Sequence, residues 1–352
     1  MGLNVPQSRP TRPSSLHNTL KAIALTSFGL ENLHLIERPD PQPGPGQVLV
    51  RVRAASLNYR DLLMVTGKYN PRQPLPLVPL SDGAGEVIAV GQGVQHLRPQ
   101  DKVVAHFCQS WQAGNQPDDA GRHTLGGPLD GALQQLWLLD TRGVIKFPQH
   151  LSFEQAATLP CAALTAWTAL FEHGNLRPGQ TVLVQGSGGV SVFALQFARL
   201  AGAQVIATSS SDEKLDKLRQ LGATHTINYR QTPNWGKAVA DLGGTDHVVE
   251  VGGAGTLTQS LRAVRPGGHI ALIGVLAGGA AELNLLPVLM NSVRVHGVFV
   301  GSHAGMANLL RAIDTAKLQP VIDSTLGWTA IGEGLLRMQT GGHFGKITLS
   351  VD

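Results

Sequence analysis

The stretch of this chain best suited to chemistry is Val182-Leu183-Val184-Gln185-Gly186-Ser187-Gly188-Gly189-Val190-Ser191. An apolar strand pattern runs into a glycine turn and then into a helical pattern. Val190, Phe193, Ala194, Phe197, Ala198 and Ala201 share one helical face, and Gly202 stops it. A helix that opens at such a turn offers unpaired N–H groups and a partial positive charge to an anion. Gly186, Gly188 and Gly189 let the backbone turn tightly and approach a pyrophosphate, although Ser191 stands where a third glycine of the GxGxxG pattern would fall. Gly186, Ser187, Gly188, Gly189 and Val190 are therefore expected to hold a dinucleotide.

The end of the next strand chooses which one. An NAD site carries an acid roughly 20 residues past the glycines, on the ribose 2′-OH. Here that place reads Thr208-Ser209-Ser210-Ser211, with no acid before Asp212. Small hydroxyls leave room for a 2′-phosphate. Ser209 and Ser210 are expected beside it, with Lys214 supplying charge and Tyr229 and Arg230 closing the next strand nearby. The expected cofactor is NADPH.

These residues need a frame. From Lys21 to about Phe147 the pattern is β-rich and punctuated by glycine and proline clusters, and Gln47–Ala54 alternates as a half-buried strand. The rhythm changes near Ser152, which forms a capping box with Gln155. Strands are expected at Thr181–Gln185, Gln204–Thr208, His225–Tyr229, His247–Val251, His269–Gly274 and Val293–Val300. Helices are expected between them at Asp212–Leu221, Asn234–Leu242 and Thr256–Val264, and Lys346–Val351 reads as a last strand. Alternating β and α predicts a parallel sheet covered on both faces. The segment Phe107–Pro128 reads as a long polar loop.

Composition excludes several classes. The 352 residues suffice for about two domains, and 15% charge is too little for a disordered chain. Cys108 and Cys161 are the only cysteines, so neither a disulfide scaffold nor a four-cysteine zinc site can form, which fits a reducing, cytoplasmic setting. The net charge of +4 is scattered, so no nucleic-acid partner is expected. The uncharged stretch 178–198 is broken by Pro178, Gly179 and the glycine turn, so no membrane span is expected. Residues 1–19, with Pro6, Pro10 and Pro13, read as a flexible tail.

Four motifs in order carry a resemblance: Asn58-Tyr59-Arg60-Asp61, Pro79-Leu80-Ser81-Asp82-Gly83-Ala84-Gly85-Glu86-Val87, Leu159-Pro160-Cys161-Ala162-Ala163-Leu164-Thr165-Ala166-Trp167, and the glycine turn. Together they resemble the medium-chain dehydrogenase/reductase superfamily, and most of all its zinc-free branch of quinone-oxidoreductase-like and alcohol-dehydrogenase-like proteins. The resemblance implies an α/β chain of two domains. One is a GroES-like β-barrel domain from 20–147 and 301–352. The other is a Rossmann domain with a doubly wound parallel sheet over 148–300, and the active site lies between them. Zinc-using relatives place cysteine, histidine and cysteine where this chain has Asn58, Ser81 and Cys161. An amide and a hydroxyl are poor zinc donors, so no metal is expected.

By the same resemblance Tyr59 and Asn58 are the catalytic candidates, Tyr59 as proton or oxyanion donor and Asn58 as orienter of ribose or carbonyl. Thr165 would flank the nicotinamide. Gly274, Val275, Phe299 and Val300 would meet it through backbone groups, and Lys346 could reach a phosphate. The expected activity is hydride transfer from NADPH to a quinone, enone or other activated carbonyl. A zinc-independent alcohol dehydrogenase and a low-turnover NADPH-binding sensor remain the alternatives. A homodimer through edge strands near Val293–Val300 is also implied.

Overall fold

The computed structural model describes residues 19–351. The expected tail over 1–19 lies outside them except for Thr19, which already belongs to a strand. In chain order the strands are β1 (Thr19–Leu25), β2 (Leu33–Pro39), β3 (Gln47–Ser56), β4 (Asp82–Val90), β5 (Lys102–Ala105), β6 (Leu136–Asp140), β7 (Val144–Lys146), β8 (Thr181–Gln185), β9 (Gln204–Ser209), β10 (His225–Asn228), β11 (Thr245–Glu250), β12 (Val264–Leu272), β13 (Arg294–Gly297), β14 (Ile322–Gly327) and β15 (Lys346–Ser350).

β3 organises the first sheet. It pairs antiparallel with β4, β6 and β15, within the order β14-β15-β3-β4-β5-β7. Val48, Val50, Val52 and Ala54 are buried as the alternation predicts, and Arg51 and Arg53 are exposed. β14 and β15 come from the chain's last 31 described residues but complete this sheet, so the C-terminus returns to the N-terminal half.

The second sheet runs β10-β9-β8-β11-β12-β13, parallel throughout. The order reverses at β8, where the crevice beyond the strand ends is the usual ligand position in a doubly wound fold. All five residues of β8 are buried, as a central strand covered on both faces must be. The helix Gly189–Leu200 packs Phe193 and Phe197 onto this sheet, with Trp167 edge-on to Phe197 at 5.9 Å. Each such ring contributes about 1.5–3 kcal/mol through burial.

Boundaries shift by a few residues from the sequence expectations. β12 begins earlier than His269, and β13 is shorter than Val293–Val300. The helix Tyr59–Val65 and the helical segment 159–172, with wide π-type turns at both ends, have no clear signal in the pattern. Both are short apolar runs, which periodicity alone cannot assign. The segment 107–128 is irregular except for one short turn at Ala120–Arg122 and bridges from Cys108 to Thr124 and from Leu125 to Leu129.

Several histidines are buried. Burial pushes His106, His247 and His343 down to about 4 and His269 to about 3. Groups held below their unfolded value contribute stability above about pH 6.5 that is lost as the pH falls. Asp61 acts oppositely: burial raises it to about 6, so its contribution is present below 3.8 and lost as pH rises through 6. Six histidines are held down, with His173 and His303 joining these four, against three carboxyls held up, Asp61, Asp82 and Glu172, so the histidines set the sign. The melting temperature should fall steadily from pH 6.5 to 4, and His269→Gln should make that fall shallower. A flat profile in differential scanning fluorimetry would contradict this.

Candidate active site between the two sheets

β8 delivers Gln185 to the glycine turn, where Gly186 takes φ 72°. Ser191 Oγ donates to the Gln185 carbonyl at 2.6 Å, so the serine in the motif's last position ties the helix back to the strand. A Cβ placed on Gly186 or Gly188 would meet nothing within 4 Å, whereas on Gly189 it would lie 2.5 Å from Lys346 Cδ. The first two glycines thus border open space at a helix N-terminus, a cradle suited to an anion. The third gives room to a side chain from the other sheet. The seam is closed by Gly345 N–H, which donates to the Ser187 carbonyl at 2.8 Å.

Below the turn lies a buried carboxylate. Glu250, at the end of β11, accepts from Gly252 N–H at 2.8 Å, Gly253 N–H at 3.0 Å and Gln185 Nε2 at 2.7 Å. It fixes the turn after β11 and supports the crevice floor.

Lys346 opens β15 and is buried beneath the seam. Its Nζ donates to Asn58 Oδ1 at 2.6 Å and to the Leu57 carbonyl. Asn58 Nδ2 donates to Ser81 Oγ at 3.4 Å, Ser81 Oγ donates to Asp82 Oδ1 at 2.9 Å, and Asp82 Oδ2 accepts from Cys161 N–H at 3.2 Å. One chain of contacts therefore links β15, the β3 exit, β4 and the helical segment 159–172. Burial raises the Asp82 carboxyl, with Lys346 opposing the shift, and burial lowers the Lys346 ammonium, with Asp82 opposing. Sequence reasoning missed Asp82. Its signal was a carboxylate beside Ser81 inside the glycine-rich run 79–87, which also holds Glu86.

Two expectations change here. Lys346 was expected to reach a phosphate; its Nζ instead meets Asn58 and Leu57, because Gly189 lets the stem pass underneath. Asn58 was expected to orient ribose or carbonyl; both ends of its amide are taken up by Lys346 and Ser81, and its backbone N–H is capped by Asp61 Oδ2 at 2.8 Å. Tyr59, the next residue, is 38% exposed and opens the helix Tyr59–Val65.

At the far end of the crevice, Ser209 Oγ accepts from Ser211 N–H at 3.4 Å, and Ser210 is half-buried. Asp212 is turned away, accepting from Asn228 at 2.7 Å and from Gln231 at 3.1 Å. Lys214 was expected to be free for a 2′-phosphate, but its Nζ donates to the carbonyls of Gly341 and His343, the latter at 2.8 Å. It pins the C-terminal turn to the second sheet. Tyr229, immediately after β10, is exposed.

Of the remaining expected contacts, Thr165 is buried in the segment 159–172. Phe299 packs edge-on against Phe107 at 5.7 Å, and Val300 is buried with φ 55°. Gly274 lies so close to the turn after β11 that a Cβ would sit 2.5 Å from the Val251 carbonyl oxygen, and Val275 beside it is 55% exposed. The contacts bring Asn58, Ser187, Gly189 and Lys346 into one place, and Lys214 joins the 341–343 turn that leads into it.

The three positions occupied by zinc ligands in zinc-using relatives do not suit that ion. Asn58 offers an amide already engaged at both ends, and Ser81 a fully buried hydroxyl bonded to Asp82. Burial and the neighbouring Asp82 hold the Cys161 thiol well above its ordinary range, away from the thiolate that zinc requires. Among the described residues, no group of three or more His, Cys, Asp or Glu side chains could hold a metal.

The glycines give a direct test. Gly188→Ala should leave the melting temperature of the free protein unchanged but weaken dinucleotide binding. Gly189→Ala should destabilise it by about 1–3 kcal/mol through overpacking against Lys346. Calorimetry and cofactor fluorescence separate the two; equal effects would contradict the assignment.

Residues 44–149 match the alcohol dehydrogenase GroES-like domain, and residues 189–315 match the zinc-binding dehydrogenase family. A zinc-type alcohol dehydrogenase-like protein of Schizosaccharomyces pombe is 42% identical, over 92% of this chain and 96% of its own. A solved NAD-dependent alcohol dehydrogenase superposes with a TM-score of 0.86 at 35% identity, covering 94% of this chain and 100% of that one. A crotonyl-CoA carboxylase/reductase in complex with NADP does so with 0.83 at 25% identity, covering 95% of each. With the two sheets, the glycine turn at the reversal of strand order and these likenesses together, the chain belongs to the medium-chain dehydrogenase/reductase superfamily and is an oxidoreductase.

Proposed function

We propose that the protein transfers hydride from NADPH to a quinone, enone or other activated carbonyl without a bound metal. The observation that carries this reading is the cluster at Lys346. Where zinc-using relatives hold a Lewis acid, this chain has an amide, a hydroxyl and a protonated thiol beside a buried ammonium. Without a Lewis acid, polarisation must come from hydrogen-bond donors, and these suffice best for an acceptor that conjugation already makes electrophilic. The likeness to a crotonyl-CoA reductase, whose acyl group is conjugated, points the same way.

When bound, the reduced nicotinamide supplies the hydride. The protein's part is to orient and to protonate. The glycine turn and the N-terminus of the helix Gly189–Leu200 take the pyrophosphate. Thr165, Gly274, Val275, Phe299 and Val300 shape the nicotinamide side. Tyr59, exposed at the crevice, gives the proton. The preference for NADPH rests on the missing acid at 208–211, with Ser209, Ser210, Tyr229 and Lys214 around the 2′-phosphate. Lys214 leaves the 341–343 turn to engage it. In this reading 20–147 with 301–352 form the barrel-side domain and 148–300 the cofactor domain. The partners are small molecules, the setting is cytoplasmic, and among the described residues no helix is long and apolar enough to cross a membrane.

A homodimer fits the exposed surface. β13 pairs only with β12, all four of its residues are exposed, and Leu285, Leu286, Leu289 and Met290 nearby are each more than 60% exposed. An open edge beside such a patch invites pairing with a second copy. A monomeric mass in light scattering would remove this part of the reading.

Steady-state assays should show oxidation of NADPH by quinones and enones, retained after chelator treatment, and slow or absent turnover of primary alcohols. Tyr59→Phe should lower kcat with cofactor affinity intact, and Lys214→Ala should weaken NADPH much more than NADH. Activity with alcohols alone would favour the dehydrogenase reading. Tight NADPH binding without turnover would favour a sensor.

A further inference from the structure

This inference rests on the reductase reading and assigns a residue within it. A lysine ammonium carries three N–H donors. The fold uses two of Lys346's, one on the Leu57 carbonyl and one on Asn58 Oδ1 at 2.6 Å. No third acceptor meets Nζ among the described residues. Asp82, Cys161 and Asp61 lie near enough to favour its charge. The stem is held as well, because its Cδ occupies the space that a Cβ on Gly189 would take. The result is a fixed, desolvated cation with one donor unspent. It stands against Gly189 of the glycine turn that would carry the cofactor and holds Asn58, the residue before the partly exposed Tyr59.

We propose that Lys346 is a catalytic residue whose third N–H donates to the substrate's carbonyl oxygen and bears the charge that develops there. As the carbon takes up hydride, the π pair moves onto oxygen, directly in a simple carbonyl and through the conjugated bond in an enone or quinone. Lys346 keeps its proton and pairs with the oxyanion. The Tyr59 hydroxyl then delivers a proton to the product, and water restores the phenol. Asn58 becomes a positioning residue, because its Oδ1 sets the direction in which the ammonium points. Fixed donors in a dry site need no reorganisation as charge develops.

The test compares the wild-type protein with Lys346→Met and Lys346→Arg, using NADPH with 1,4-benzoquinone and with cyclohexenone. Lys346→Met should lower kcat by about 100-fold or more, as loss of an oxyanion donor does, while the Kd for NADPH by fluorescence stays within about threefold. The wild-type rate should decline at alkaline pH as Lys346 loses its proton. Lys346→Arg should recover part of the rate and move that decline upward. If the methionine variant fails to fold because Asp82 is left unpaired, Lys346→Met with Asp82→Asn removes both charges, and the same loss is expected of it. A folded variant with kcat within about threefold of wild type overturns the proposal. So does a rise in NADPH Kd that matches the fall in rate, which would assign Lys346 to a phosphate instead. If the wild-type protein binds NADPH and reduces neither acceptor, the reductase reading falls and takes this proposal with it. If the wild type turns over and the variant keeps pace, only this proposal falls.

Discussion

A lysine ammonium taken out of water costs several kcal/mol unless the surrounding protein replaces its hydration. Lys346 meets that demand with a carbonyl from the end of β3, an amide from Asn58 and the field of Asp82. Each comes from a different part of the chain. The C-terminal strand β15 must therefore lie beside β3, β4 must begin at Asp82, and the 159–172 segment must bring Cys161 N–H to the same carboxylate. Removing one partner of such a buried pair typically costs about 3–5 kcal/mol. The same contacts that hold the two sheets together therefore also set the floor of the crevice.

The glycine turn meets this cluster from the other side. Gly186 and Gly188 face space and Gly189 faces Lys346, so one short motif serves two purposes. It leaves backbone N–H groups open to an anion and lets a cation from the barrel side pass beneath them. The glycine turn and Lys346 are thereby in direct contact, and Asn58, which Lys346 holds, immediately precedes the partly exposed Tyr59.

Much of the fold was legible in the chain itself. The alternation in Gln47–Ala54, the apolar face from Val190 to Ala201 and the strand-turn-helix context of Gly186 each follow from a local period, and each appears in the structure. The parallel pairing of β8 to β13 follows from their alternation with helices, whereas the order β10-β9-β8-β11-β12-β13 does not. What was not legible depends on contacts between distant residues. Nothing near Lys346 in sequence says that Asn58, about 290 positions earlier, will accept from it. Nothing near Lys214 says that the carbonyls of Gly341 and His343 will engage it. Both lysines were read as phosphate ligands because charge is visible in a sequence and its partner is not. Buried Asp82 was given no role for the same reason. The helix Tyr59–Val65 escaped because seven residues are too few for a period to show.

A crystal structure with NADPH bound tests the central claim most directly, since it shows what each charged group does in the loaded crevice. The account predicts the pyrophosphate on the backbone N–H groups of the glycine turn, the nicotinamide beside Tyr59, and Lys346 Nζ still bonded to Asn58 Oδ1. Nζ swung onto a phosphate, or a metal ion held between Asn58, Ser81 and Cys161, would contradict it.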